Sequence, residues 1–456
     1  MRAVLLIDFG STYTKVAAVD VEGEAILGVA QSETTATTDV AIGLDRAVDA
    51  LRKEIGDVPF SERYACSSAA GGLKMIASGL VPSLTAEAAK RAALGAGAKV
   101  IRTYSYELTG EDLAEIRRLA PDILLLTGGT DGGNRDCILK NARALASIPA
   151  CFPVVVAGNR VVRDECVRIL ADAGYRAIAC ENVMPSFNQL NIAPAQAVIR
   201  ELFLLCILSA KGLTKAQALM DGILMPTPAA VLAALTLYAE DAGELVAVDL
   251  GGATTDVYSI TDGLPTLAGT VLKGLPEPYA KRTVEGDIGM RFSARGVAEG
   301  AGLAALAEAS GRPEAEMEAW LREIDRAPGA LAETEAQRDA DRALAKCAIE
   351  LGLTRHAGTI EQVFTPMGAL YQQTGKDLTR VRTILLTGGA LVYAEDPGRI
   401  AREAMGANHP SSLMPRSARS KADRRYILFA MGLLSGKYPS LARKLLKREF
   451  QDGDSQ

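Results

Sequence analysis

The chain has 456 residues, 48% of them hydrophobic and 23% charged, with a net charge of −5. That length exceeds what one core supports and points to two or more lobes, while the acidic balance argues against a broad nucleic-acid footprint. The first apolar run reaches only Ile7 before Asp8, too short for a secretion signal, and the longest later run, 202–208, falls far below the roughly 20 residues of a membrane span. A cytoplasmic protein with neither nucleic-acid nor membrane partners is the expectation.

The cysteines contain no CxxC pair. Cys137, Cys151, Cys166 and Cys180 recur at intervals of 14 or 15 residues, a spacing that repeated strand–helix units produce without a metal. The two histidines, His356 and His409, lie far apart and give no zinc or catalytic pattern.

In chain order, residues 3–8 read as a strand. TKVAAVD at 14–20 is its hairpin partner after a Gly/Ser/Thr turn, and VEGEAI at 21–26 supplies another turn and strand. A helix follows around 43–55, and YACSSAAGG at 64–72 ends a further strand in small residues. From about 75 to 182 apolar runs alternate with amphipathic helices. The strands are AKVIRTYSY, PDILLLTGG, CFPVVVAGN and YRAIACEN, and the alternation reads as parallel strand–helix units in a self-contained insertion. Helices at 193–212 and 227–241 lead to the strand ELVAVDLGG and its hairpin partner TTDVYSI. Residues 291–360 read as largely helical, VRTILLTGGA at 381–390 as a last strand and turn, and the rest as helices. The basic stretch RSARSKADRR, 416–425, reads as a solvated loop before the next helix.

Two hairpins carry the chemistry. IDFGSTYTKV at 7–16 and VDLGGATTDV at 248–257 share one plan: an aspartate ends an apolar strand, then come a glycine, small hydroxyl residues and a second strand. Either alone is compatible with an ordinary tight turn, whereas two of one plan suggest two homologous lobes. The first loop offers Gly10, Ser11, Thr12, Tyr13 and Lys15, and the second Gly251, Gly252, Ala253 and Thr254. Glycines let the backbone approach a phosphate, and successive N–H groups make an anion nest. The hydroxyls add neutral donors and Lys15 adds positive charge. Asp8 and Asp249 would repel phosphate unless a cation lies between, and they suit a hydrated Mg2+, which takes one or two carboxylates and keeps its waters. A third turn, LLTGGA at 385–390, opens at Gly388, Gly389 and Ala390, where a flat base or ribose can lie against the backbone.

The order DFGSTYTK, PTPAAVL, DLGGATTDV and LLTGGA resembles the actin/Hsp70/sugar-kinase ATPase superfamily. The resemblance covers nearly the whole chain. It implies an α/β fold, a two-lobed actin-like ATPase of duplicated ribonuclease-H-like domains with an inserted βα domain. In that scheme 1–74 begins the N-terminal lobe, 75–190 is the insertion, and 191–242 completes the lobe with connecting helices. The C-terminal lobe is 243–456, with a helical insertion at about 291–345. Further stretches, LLLTGGTDGGN, VVVAGN, ENVMPSFNQLNIAPAQ, TVEGDIGMRFSA and LTRHAGT, look like the GlmL-type (MutL-type) accessory proteins of glutamate mutase, which are unrelated to the mismatch-repair protein of similar name.

That resemblance implies a weak Mg-dependent ATPase that acts as a reactivating chaperone on the subunits of an adenosylcobalamin-dependent mutase, with self-association left open. Carried over, Asp8, Ser11, Thr12 and Lys15 serve the first phosphate loop, Asp249, Gly251, Gly252 and Thr254 the second, and Gly388 and Gly389 adenosine. Glu285, Asp287 and Arg291, read as the start of the helix after the second hairpin, would reach ribose; simple acids at a helix N-terminus are the alternative. The glycine turn at 127–133 is read as a structural or docking turn before a second nucleotide site. No DxHxxG cobalamin signature is present. A small-molecule kinase and an actin-like scaffold stay open, the absence of a GDQ stretch counting against the kinase.

Overall fold

The computed structural model of the protein describes every residue except 11, 36–39, 69–72, 211–220, 367, 408 and 452–456. It divides into two compact units. One comprises Met1–Ala234, Gly274–Pro276 and Phe429–Leu445, and the other the remaining segments.

In the first unit, strand β1 (Ala3–Phe9) is buried along its whole length, so every position but Asp8 must be apolar. It pairs antiparallel with β2 (Tyr13–Asp20), which pairs with β3 (Ala25–Glu33). The helix Val40–Ile55 buries Leu44, Ala47 and Leu51, one stripe at helical spacing. Strand β4 (Phe60–Ser67) lies parallel to β1 on its other side. The chain then leaves this sheet for a parallel one: β5 (Lys74–Gly79), β6 (Lys99–Ser105), β7 (Ile123–Leu126), β8 (Val154–Val156) and β9 (Ala177–Ala179), in the order β6-β5-β7-β8-β9. Strand β5 goes beyond the four strands read from the sequence. Its short run KMIASG follows a glycine pair and receives no strand assignment there. Returning, β10 (Gly222–Pro226) pairs with β4 and completes the order β10-β4-β1-β2-β3.

The second unit repeats the first sheet. Strand β11 (Leu245–Leu250) takes the place of β1, and its antiparallel partner β12 (Thr255–Ile260) that of β2. After β13 (Thr270–Lys273), β14 (Ala280–Glu285) adds antiparallel to β12 as β3 does to β2. The helices Ala294–Ala301, Leu303–Ser310, Glu314–Arg326 and Glu335–His356 follow, as the composition of 291–360 leads one to expect. Strands β15 (Thr359–Thr365) and β16 (Gly368–Thr374) form a hairpin that, with β13, makes a small separate sheet. Strand β17 (Thr383–Thr387) runs parallel to β11, and β18 (Arg419–Ala422) parallel to β17. The order β14-β12-β11-β17-β18 has the same sequence of parallel and antiparallel neighbours as β3-β2-β1-β4-β10. The protein is therefore a mixed α/β fold built on a duplicated five-stranded plan with an additional parallel sheet.

The stretch 416–425 is exposed at Arg416, Arg419 and Arg424, as expected of a solvated segment, but it is not a loop throughout. Residues Arg419–Ala422 join the sheet as β18, and three of the basic side chains also reach carbonyls: Arg416 those of His409 and Ser412, Lys421 that of Phe450, and Arg424 those of Val392 and Ala394. Among the described residues no helix is long and apolar enough to cross a membrane.

Candidate functional site

Asp8 is the penultimate residue of β1 and is only 2% exposed. Its Oδ1 accepts a hydrogen bond from Thr227 Oγ1 at 2.5 Å and from Cys66 Sγ at 3.6 Å, and its Oδ2 lies 3.9 Å from Lys15 Nζ. Burial pushes the Asp8 carboxyl above its usual range, while Lys15, Thr227 and Cys66 pull it back. Burial, reinforced by the Asp8 charge, drives the Cys66 thiol far upward, so it acts as a neutral donor. Lys15 comes to Asp8 because the two are register partners in the β1–β2 ladder; Cys66 is the partner of Asp8 in β4.

The first loop is closed by Gly10 N–H donating to the Tyr13 carbonyl at 3.1 Å. Thr34 ties it from behind, its Oγ1 donating to Gly10 O at 2.9 Å and its N–H to Thr12 O at 2.8 Å. Thr12 and Tyr13 are exposed. Ser11, the remaining candidate of this loop, lies outside the described residues.

The second loop repeats this construction. Gly251 N–H donates to Thr254 O at 2.9 Å, and the N–H groups of Met290, Arg291 and Phe292 take the carbonyls of Gly251 and Gly252. Gly252 and Ala253 are exposed and Thr254 is half-buried. In both loops carbonyl oxygens are engaged from within the protein, so the exposed backbone is left to offer N–H groups, the polarity a phosphate requires.

Asp249, half-buried at the end of β11, is the register partner of Thr387, and Gly388 follows at once. Gly388 has φ of 91°, and a Cβ there would fall 2.4 Å from the Leu250 carbonyl oxygen and 2.7 Å from Asp249 Oδ1. Only glycine fits. The turn is thereby seated against the acid of the second hairpin. Gly389 is exposed and Ala390 half-buried, at the start of one helical turn, Gly389–Val392.

Glu285, Asp287 and Arg291 are placed differently from the expectation. Glu285 ends β14 opposite Thr255, Asp287 lies in the turn beyond it, and the helix begins only at Ala294. None of the three starts that helix, because the β12–β14 ladder continues through Glu285. Both acids accept from Arg355 Nη1, at 2.9 and 3.0 Å. Arg291 is bidentate to Asp341 at 3.1 and 2.8 Å and also donates to Ala330 O. Its backbone N–H and side chain together fasten the back of the second loop.

The 127–133 turn is held by two buried asparagines. Asn159 donates to Gly133 O and Asn134 O and accepts from Gly132 N–H, while Asn182 donates to Gly129 O and to Asp131 Oδ1. Among the described residues no group of three or more His, Cys, Asp or Glu is placed to hold a metal ion.

Three residues of the first loop's surroundings escape a motif reading. Thr227 does lie inside PTPAAVL, and Cys66 inside YACSS, but nothing local links either to Asp8. Thr34 carries no signal at all.

Among solved structures the chain is similar to diol dehydratase-reactivating factor in its nucleotide-free form, at 12% identity over 96% of this chain and 99% of that one, with a TM-score of 0.41. It is also similar to (R)-2-hydroxyglutaryl-CoA dehydratase component A of Acidaminococcus fermentans, at 11% identity over 100% of both chains and a TM-score of 0.32. A curated relative, Protein MutL of Clostridium tetanomorphum, is 47% identical over 460 residues, covering 98% of this chain and 99% of the relative. The family model described as MutL protein matches residues 4–450. The chain therefore belongs to the MutL protein family.

Proposed function

We propose that the protein is an ATP-binding accessory protein of an adenosylcobalamin-dependent carbon-skeleton mutase of the glutamate mutase type, and that it restores mutase whose cofactor has become inactive. The observation that carries the nucleotide part is the shared design of the two loops: Gly10 N–H to Tyr13 O and Gly251 N–H to Thr254 O, each with the loop carbonyls engaged from behind. Membership of the MutL family supports the accessory role.

The residues present fit Mg-ATP. In the first unit exposed Thr12 with Lys15, and in the second unit exposed Gly252 and Ala253, would each offer a phosphate loop, and in the second unit Gly388 and Gly389 would take the nucleoside. Asp8 and Asp249 would each act on Mg2+ through its waters, since Asp8 Oδ1 is already engaged by Thr227 and Cys66. When bound, Mg-ATP supplies a phosphoanhydride whose charge the metal neutralises. The protein's own part is to position. Thr227 and Cys66 orient Asp8, and Thr34 and residues 290–292 shape the loops.

Hydrolysis by the protein alone should be slow. Near the second loop the arginines Arg291 and Arg355 are bound to carboxylates, and no strong base stands out beside either loop in the sequence. ATP moves the protein between states only as far as it binds them differently, so the mutase or its cobalamin-carrying subunit should prefer one nucleotide state. Calorimetry tests the first part: Asp8→Ala and Asp249→Ala should lose Mg-dependent ATP binding, and undiminished affinity in both would refute the metal assignment. Recovery of inactivated mutase with fresh adenosylcobalamin, with and without this protein and ATP, tests the second. Equal recovery, with no nucleotide-dependent complex, would remove the accessory role.

A further inference from the structure

We infer that the outward face of the small sheet β13-β16-β15 is a two-fold interface on which a second copy of this chain docks. The inference concerns the second unit alone and stands apart from the nucleotide reading.

The ladder register sorts the side chains of this sheet into two faces. Val271 of β13 and Glu361 of β15 both pair with Gln372 of β16, and Val363 pairs with Leu370. Side chains alternate along a strand, so Lys273 shares the face of Val271, and Leu370 that of Gln372. The residues between them take the other face. There Gln373 is wholly buried, its Nε2 donating to the carbonyls of Gly263 and Gly375 at 2.9 Å each, and Ile360 is half-buried. That face therefore lies on the body of the second unit. The outward face is open instead. Val271 is 53% exposed, Val363 and Leu370 38% each, and Lys273 and Glu361 are exposed as well. Aliphatic side chains side by side on a sheet that nothing covers mark a contact surface.

The placement of charge identifies the occupant. Lys273 stands on one edge strand and Glu361 on the other, and among the described residues neither forms an ion pair within its own chain. A two-fold interface sets one patch against its own copy, so what lies on one edge meets what lies on the other. With the axis along the central strand β16, edges β13 and β15 exchange. Lys273 then comes to the edge that carries Glu361 of the partner subunit, and the pairing occurs twice. Gln372 and Leu370, on the central strand, meet their own counterparts. An amide both donates and accepts, and leucine packs on leucine, so neither opposes itself. Aligned sheets stack about 10 Å apart, a gap that a lysine and a glutamate extended toward each other span. A partner of unrelated sequence would need no opposite charges at opposite edges, whereas a second copy does.

Sedimentation velocity on the full chain over a concentration series tests this. The wild type is expected to associate reversibly into dimers. Glu361→Lys makes both edges positive and Lys273→Glu makes both negative. Each change counts twice across the axis and should weaken association at least about tenfold. Mixing the two variants sets a positive face against a negative one and should restore dimers to within about threefold of the wild type. Both positions are exposed, so folding should be unaffected, checked by thermal unfolding. A dimer that survives both substitutions overturns the inference, as does a mixture that stays monomeric. A wild type that stays monomeric overturns it too, and weaker capture of mutase subunits by either variant would then give the face to the mutase.

Discussion

The hydroxyl of Thr227 donates to Asp8 Oδ1 across 2.5 Å, joining residues 219 positions apart in the chain. Asp8 is buried, so this donor replaces water that its carboxylate would otherwise hold. Thr227→Val keeps the side-chain shape and deletes the donor. It is expected to destabilise the protein by about 1.5–3 kcal/mol, measured by urea unfolding. The Asp8 carboxyl is already raised by burial and would rise further, so the loss should be smaller in acid than at neutral pH. A loss independent of pH would mean that Asp8 carries no charge in the fold.

Asp423 gives a second pH signature. Burial pushes its carboxyl from an ordinary 3.8 up to about 6, against the N–H bonds from Ile427 and Leu428. A raised value means that its contribution to stability is complete below the unfolded value and is lost as pH rises through about 6. Asp423→Asn should remove that dependence, which amounts to about 3 kcal/mol across the range. Unfolding free energies followed against pH for both proteins decide it; parallel curves would show that Asp423 titrates normally.

Arg291 and Asp341 form a half-buried bidentate pair, 18% and 21% exposed, and the same carboxylate accepts from Trp320 Nε1 at 2.9 Å. Trp320 is the chain's one tryptophan. Arg291→Ala should cost about 1–3 kcal/mol by leaving Asp341 without its cation and should shift Trp320 emission. Unchanged stability and emission, with weaker nucleotide binding, would favour a ribose contact as the role of Arg291.

Asp131 accepts from Arg160 N–H at 2.9 Å and Asn182 Nδ2 at 3.0 Å. Asp131→Ala should lower stability by about 1–2 kcal/mol and leave Mg-ATP affinity unchanged by calorimetry. A loss of ATP affinity would make the 127–133 turn a second nucleotide site.

Much of this protein was legible in its linear order because the decisive signals are local. A strand buried on both faces must be apolar throughout, so the runs that stop at Asp8 and Asp249 and turn at glycine announce two hairpins of one plan. The alternation of apolar runs and amphipathic helices announces the parallel sheet in the same way. Strand β5 escaped because its short run follows a glycine pair, and β18 because a stretch rich in basic residues reads as loop whereas its backbone pairs with β17. Glu285 and Asp287 were misplaced because the start of a helix after β14 depends on how far β14 continues to pair with β12, a contact between strands that no spacing records. What only the tertiary structure decided is which distant groups meet: Thr227 and Cys66 on Asp8, Gly388 against Asp249, Tyr393 beside Tyr426. Hydrogen bonds and ring contacts act over a few ångströms, and strand order alone determines which chain segments come that close.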